Sequence, residues 1–157
     1  MSALRTPTKT RMYLIDTNVI SEARKRAKAN RGVIAFFQRV SRERSPVFIS
    51  VITVGELRRG IELIRHRGDR RQAERLETWL ETLLIEYQDS ILDFDQDIAQ
   101  LWGRLRVPHP ENTLDKQIAA TALIYGLTVV TRNRADFHQT GVRILNPFTA
   151  EETARDQ

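Results

Sequence analysis

The sequence contains no cysteine, which excludes disulfides and thiolate metal sites and fits a reducing compartment. No apolar run reaches the roughly 18 residues that a membrane-spanning helix requires, and the N-terminus has no signal-peptide apolar core. A soluble, cytoplasmic protein is therefore expected. Internal repeats, low-complexity tracts and an interdomain linker are also missing. At 157 residues the chain reads as one domain, long enough to bury roughly 70% of its unfolded surface. There is no Walker loop, no Gly-rich dinucleotide fingerprint and no G-x-S-x-G elbow, which counts against nucleotide hydrolases and serine hydrolases. The three histidines, His66, His109 and His138, stand in separate polar contexts without ligand spacing and read as surface residues.

What is present is an ordinary globular composition with a basic balance. The net charge of +5 permits nucleic acid as a partner without specifying it. Residues 1–11 are polar, basic and patternless and read as a flexible leader, with Met12 a second candidate start. Residues 149–157 read as a polar tail, leaving 12–148 as the folded domain.

Short β-like runs alternate with helical periodicity along that domain. The runs are Met12 to Ile15, Val47 to Val51, Ile91 to Phe94, Leu127 to Thr131 and Val142 to Leu145. Between them, Val33, Phe36, Phe37 and Val40 have helical spacing, and Leu57, Ile61 and Ile64 line the face of another helix. Ala73, Leu76, Leu80, Leu83 and Tyr87 continue beyond a Gly68-Asp69 turn as the second arm of a helical hairpin. Asp95 is placed to cap a helix carrying Ile98, Leu101, Trp102 and Leu105. The segment from Ile118 to Tyr125 is apolar on nearly every side, which a soluble chain buries by packing it on a sheet; its small residues permit close approach, and Gly126 ends it. Strands separated by helices throughout predict an α/β fold with a central parallel sheet of about five short strands, covered on both faces.

In such sheets ligands bind beyond the carboxyl ends of the strands, and four acids fall there. Asp16 closes the first strand, Glu56 follows the second, Asp115 opens the apolar helix, and Asp136 follows the fourth strand. Each has a structural reading too. Glu56 completes a capping box with Thr53, Asp115 sits in the first turn behind a Thr113 cap, Asp136 suits an exposed turn, and Asp16 suits a helix cap. Taken together they point to hard-cation chemistry. Carboxylates at 4 Å repel by about 4 kcal/mol per pair at intermediate dielectric, and an all-oxygen ligand set selects Mg²⁺ or Mn²⁺.

At this point the residues carry a family resemblance. The stretch Tyr13 to Glu22 (YLIDTNVISE) resembles the first motif of PIN-domain ribonucleases, and Ile49 to Leu57 (ISVITVGEL) resembles the second. Asp115 to Leu123 and Gly126 to Phe137 resemble the third and fourth, and Asn146-Pro147-Phe148 resembles the usual ending. The likeness runs in order from Met12 to Phe148 and is nearest to the VapC toxins of type II toxin–antitoxin pairs, including their FitB-like branch. Two features depart from the pattern: the basic leader, and Lys116-Gln117 after the third acid, where Lys116 is expected to point to solvent.

The resemblance implies a three-layer PIN-like fold and a Mg²⁺-dependent endoribonuclease, with Mn²⁺ as a substitute. Asp16, Glu56, Asp115 and Asp136 would form the acidic quartet that holds metal and orients water. Thr17 or Asn18, and Thr131 or Asn133, would be polar helpers, with Asp97 a weaker candidate. The implied partners are RNA, a VapB-like antitoxin, a second copy of the chain in a homodimer, and operator DNA through a larger toxin–antitoxin assembly. Arg58, Arg59, Arg65, Arg67, Arg70, Arg71 and Arg75 crowd the helical hairpin. They read either as a solvated face pairing with Glu62 and Glu74 or as a phosphate-binding rim; the resemblance adds a dimer or antitoxin surface. The rival reading is a non-catalytic PIN-like module that binds RNA or protein, although binding alone gives no reason to gather repelling carboxylates. A phosphatase of the haloacid dehalogenase type also begins with a strand-terminal Asp. That class requires a second Asp at position 18, which here is Asn18.

Overall fold

The computed structural model describes residues 10–149. The leader and tail expected at 1–11 and 149–157 thus lie outside the described residues, apart from Thr10, Arg11 and Thr149. The five strands are β1 (Tyr13–Ile15), β2 (Val47–Ser50), β3 (Ile91–Leu92), β4 (Thr128–Val130) and β5 (Ile144–Leu145). They form one sheet in the order β3-β2-β1-β4-β5, and all four pairings are parallel. Six α-helices connect them: α1 (Thr17–Ala23), α2 (Arg31–Glu43), α3 (Val51–His66), α4 (Arg70–Glu86), α5 (Gln96–Leu105) and α6 (Thr113–Tyr125).

The period-2 pleat divides the apolar strand residues between two layers. Tyr13, Ile15, Ile49 and Val130 join a core with Val19, Ile20, Val33, Phe36, Leu57, Ile61 and Leu80, contributed by α1 to α4. Leu14 and Val129 point the other way, against Ile118, Ala119 and Ala122 of α6. Leu14, Ile15, Val129 and Val130 have no accessible surface. Truncating Leu14 or Ile15 to Ala would cost about 2–5 kcal/mol, a large part of a typical domain stability of about 5–15 kcal/mol.

Helix α6 follows the expected burial only in part. Ile118, Ala119, Ala120, Thr121 and Ala122 are fully buried, but Ile124 and Tyr125 emerge at 45% and 43% exposure, so the last turn leaves the sheet. Gly126, at φ +68, then supplies the left-handed C-terminal residue that a side chain would resist. The helical hairpin of α3 and α4 and the Asp95 cap are formed as predicted; Asp95 Oδ1 accepts from the Ile98 amide at 2.9 Å.

Two helix starts differ from the sequence reading. Helix α3 begins at Val51, because Ser50 at the end of β2 accepts from the Ile52 amide at 3.0 Å. The Thr53–Glu56 capping box therefore does not form, and Thr53 is fully buried inside the first turn. Helix α6 includes Thr113; the residue before it, Asn112, is left-handed and gives no side-chain cap.

Candidate functional site

The sheet order makes β1 and β4 neighbours from which the chain departs in opposite directions, to β2 and to β5. Their carboxyl ends meet at the switch point, where a crevice opens in this class of sheet. Asp16 and Thr131 are the first residues past those two ends. The Asp16 amide still donates to Val130 O at 2.9 Å, and the Thr131 amide to Leu145 O at 3.0 Å. The sheet ladder thus fixes the backbone beneath both side chains.

Asp16 is 3% exposed and fully engaged. Its Oδ1 accepts from the Thr17 amide at 2.8 Å, and its Oδ2 accepts from Thr131 Oγ1 at 2.8 Å and Asn18 Nδ2 at 3.4 Å. Asn18 crosses the same gap: Nδ2 also donates to Thr131 Oγ1 at 3.2 Å, and Oδ1 accepts from the Arg132 amide at 3.1 Å. Asn133 contributes its backbone, whose amide donates to Thr131 Oγ1 at 3.1 Å. Thr17 Oγ1 donates to Glu56 Oε1 at 3.1 Å, which ties the second turn of α3 to the start of α1. Without the capping box, this bond is what orients Glu56.

The other two acids come from the opposite layer. Asp115 lies in the first turn of α6, and Asp136 in the short 3₁₀ helix Arg134–Phe137 after β4. All four carboxyls interact electrostatically. Burial raises the Asp115 pKa to about 7, helped by the charges of Asp16, Asp136 and Glu56 and by a hydrogen bond with Asp136. Asp16 is also raised, by burial first and then by Asp136, against the pull of its hydrogen bonds. Glu56 rises through burial and the Asp16 charge, against its bond from Thr17. Three carboxyls are thus held above their ordinary range by burial and by one another's charge.

That donor set, oxygen only and mutually repelling, fits a hard divalent cation better than an imidazole- or thiolate-seeking metal. The four do not yet form a chelate: among the described residues, no three acidic or histidine side chains converge at ligating spacing. Asp97 is exposed in the first turn of α5 and stands apart, and the three histidines are exposed, as expected.

The basic hairpin is more specifically paired than the sequence indicated. Arg58 contacts Glu77 at 2.8 Å and Glu62 at 3.6 Å, while Arg65 reaches Glu77 at 2.7 Å and also pairs with Glu62. The acid bridging the hairpin is Glu77, where Glu74 had been expected beside Glu62. Lys116 is the larger surprise. Expected to face solvent, it is 3% exposed, and its Nζ donates to the His109 carbonyl. Polar neighbours hid this in the sequence; its place one residue after Asp115 was the only signal.

A five-stranded parallel sheet with helices on both faces and acids gathered at its switch point defines a class of α/β protein, and the PIN domain is the family within it. The PIN-domain family model matches residues 13–142, and the chain belongs to that family. It is 36% identical to Toxin FitB of Neisseria gonorrhoeae over 144 residues, covering 87% of this chain and 99% of that protein. It is 34% identical to VapC ribonuclease Y4jK of Sinorhizobium fredii, covering 87% and 98%. The solved structure of FitAB bound to a DNA fragment superposes with a TM-score of 0.70 at 33% identity, covering 88% of this chain and 96% of that one.

Proposed function

We propose that the protein is the toxin of a type II toxin–antitoxin pair and acts as a metal-dependent endoribonuclease. The observation that supports this reading is the electrostatic coupling of Asp16, Glu56, Asp115 and Asp136 beyond the carboxyl ends of β1 and β4, with three of them raised in pKa by burial and by one another. Kinship with a FitB toxin and a VapC ribonuclease supplies the reaction class.

In this reading the four carboxylates hold Mg²⁺, or Mn²⁺ in its place. The cation, when bound, supplies the positive charge that an attacking water and a phosphodiester both require. The chain's own residues do the rest. Thr131 and Asn18 fix the Asp16 carboxylate, and Thr17 fixes Glu56. The carboxylates orient water against phosphorus, whose bond to the leaving ribose oxygen breaks as the new P–O bond forms. No covalent enzyme intermediate is involved.

The partner is a VapB-like antitoxin that covers this acidic crevice, and the toxin is a homodimer that joins operator DNA through that antitoxin. The structure of FitAB bound to a DNA fragment supports the DNA-bound assembly. The test is RNA cleavage by antitoxin-free protein in Mg²⁺ or Mn²⁺ against EDTA, beside Asp16→Asn. Cation-dependent cutting abolished by the substitution is the expected result. Folded protein that cuts no cellular RNA in either cation would favour a binding module instead.

A further inference from the structure

Lys116 has no part in the acidic network, yet among the described residues it is the most deeply buried charged side chain outside it. Among the described residues it makes no ion pair; its one hydrogen bond goes to a backbone carbonyl, that of His109. An ammonium has three donors, and burying one with so few acceptors is costly unless an anionic or strongly polar group meets it. The side chain lines a cavity of about 260 Å³ that also borders Glu111, Asn112, Asp136, His138 and Gln139. The cavity lies between the loop before α6 and the 3₁₀ segment after β4, and Asp136 is part of its wall. It adjoins the acidic crevice.

Its size and chemistry narrow the occupant. Pockets that engulf drug-sized ligands measure about 300–1,000 Å³, so this one admits a single small polar group. Its wall sets one fixed donor, Lys116, among the Asn112 and Gln139 amides and the Glu111 and Asp136 carboxylates, which suits the polar edge of one unpaired base better than a run of phosphates. Resting on the nuclease reading above, we propose that this cavity is a nucleotide subsite. It receives the base beside the scissile phosphate, with Lys116 as the fixed donor to an oxygen of that nucleotide and Gln139 as an adaptable reader. The subsite thereby sets which RNA sequence is cut. The backbone bond to His109 keeps the ammonium in place and holds the loop that forms one wall.

Two variants of the full chain test this. Lys116→Met removes the charge at similar length, while Gln139→Ala alters an exposed position whose change leaves the core intact. Cleavage of a randomised RNA pool is sequenced, and KM and kcat are measured on the preferred and a non-preferred RNA. The expected result is a preference for one base beside the cut that Lys116→Met reduces by about tenfold, the scale of one charged hydrogen bond, and Gln139→Ala by about threefold, the scale of a neutral one, both carried mainly in KM. Equal loss on every RNA would overturn the subsite and leave Lys116 as a loop anchor; so would an unchanged preference in both variants. Amide NMR shifts on adding a non-cleavable single-stranded oligoribonucleotide to metal-free protein separate this proposal from the nuclease reading. Shifts at Asn112, His138 and Gln139 that Gln139→Ala weakens support the subsite even if no cutting is seen. Their absence from the wild type refutes it.

Discussion

Thr131 Oγ1 donates a 2.8 Å hydrogen bond to Asp16 Oδ2 across 115 residues of sequence, and both residues are buried. The same oxygen accepts from Asn18 Nδ2 and the Asn133 amide, so one hydroxyl closes the gap between the ends of β1 and β4. Thr131→Val keeps the shape and removes the hydroxyl, leaving a buried carboxylate short of a donor and an amide short of an acceptor. We expect a loss of about 1–3 kcal/mol in denaturant unfolding. The Thr131 bond also lowers the Asp16 pKa, so the acid limb of any cleavage profile should move to higher pH. Thr131→Ser should restore most of both; an unfolding midpoint equal to wild type in Thr131→Val would refute the role.

Asp115 presents the opposite case, a residue that weakens the fold it belongs to. Its carboxyl is repelled by the charges of three others, so Asp115→Asn removes repulsion while keeping size and polarity. Metal-free protein with this substitution should melt higher at pH 8, by roughly 2–4 °C for each kcal/mol relieved, while cation-dependent RNA cleavage falls by about a hundredfold or more. Such a trade between stability and activity is what a functional site predicts. A lower melting temperature would instead make Asp115 a structural residue.

Sequence pattern exposed the sheet because each strand is short, apolar and bounded by polar turns; β1 is the clearest instance, a buried run ending on Asp16. Period alone could not place helix starts where two capping residues compete. Ser50 and Thr53 are both good caps, and the choice falls to Ser50 because β2 ends there in extended geometry. The sequence could nominate Asn18 and Thr131 but not show that they bond to each other, since that depends on strand register. Asn133 acts through its amide, which no side-chain pattern reveals. The burial of Lys116 depends on how the preceding loop folds back, a tertiary effect outside any local rule.

Gly32 gives a prediction about the far edge of the site. A Cβ there would overlap the Pro147 carbonyl oxygen, because Asn30 Oδ1 holds both the Gly32 amide at 2.9 Å and the Thr149 amide at 3.1 Å. The segment so pinned carries Phe148, whose ring lies 4.9 Å from the Arg132 guanidinium carbon. Gly32→Ala should cost about 1–3 kcal/mol and speed proteolysis near Phe148. Protease resistance equal to wild type would mean that the segment moves without consequence.

The acidic pocket also fixes how stability responds to pH. A carboxyl with a pKa of about 7 in the fold against 3.8 as its ordinary value binds more protons folded than unfolded between those limits. Stability of metal-free protein should therefore fall as pH rises from about 4 to about 7 and level off above. Asp16 and Glu56, both raised, act in the same direction, and Asp115→Asn should flatten the slope. A bound divalent cation competes with those protons and reverses the sign, so Mg²⁺ should raise the melting temperature more at pH 8 than at pH 5. Melting curves across pH, with EDTA and with Mg²⁺, measure both slopes. If the metal-free slope matched that of Asp115→Asn, the pocket would not be electrostatically coupled as described. If Mg²⁺ gave no larger shift at high pH, the four carboxylates would not be its site.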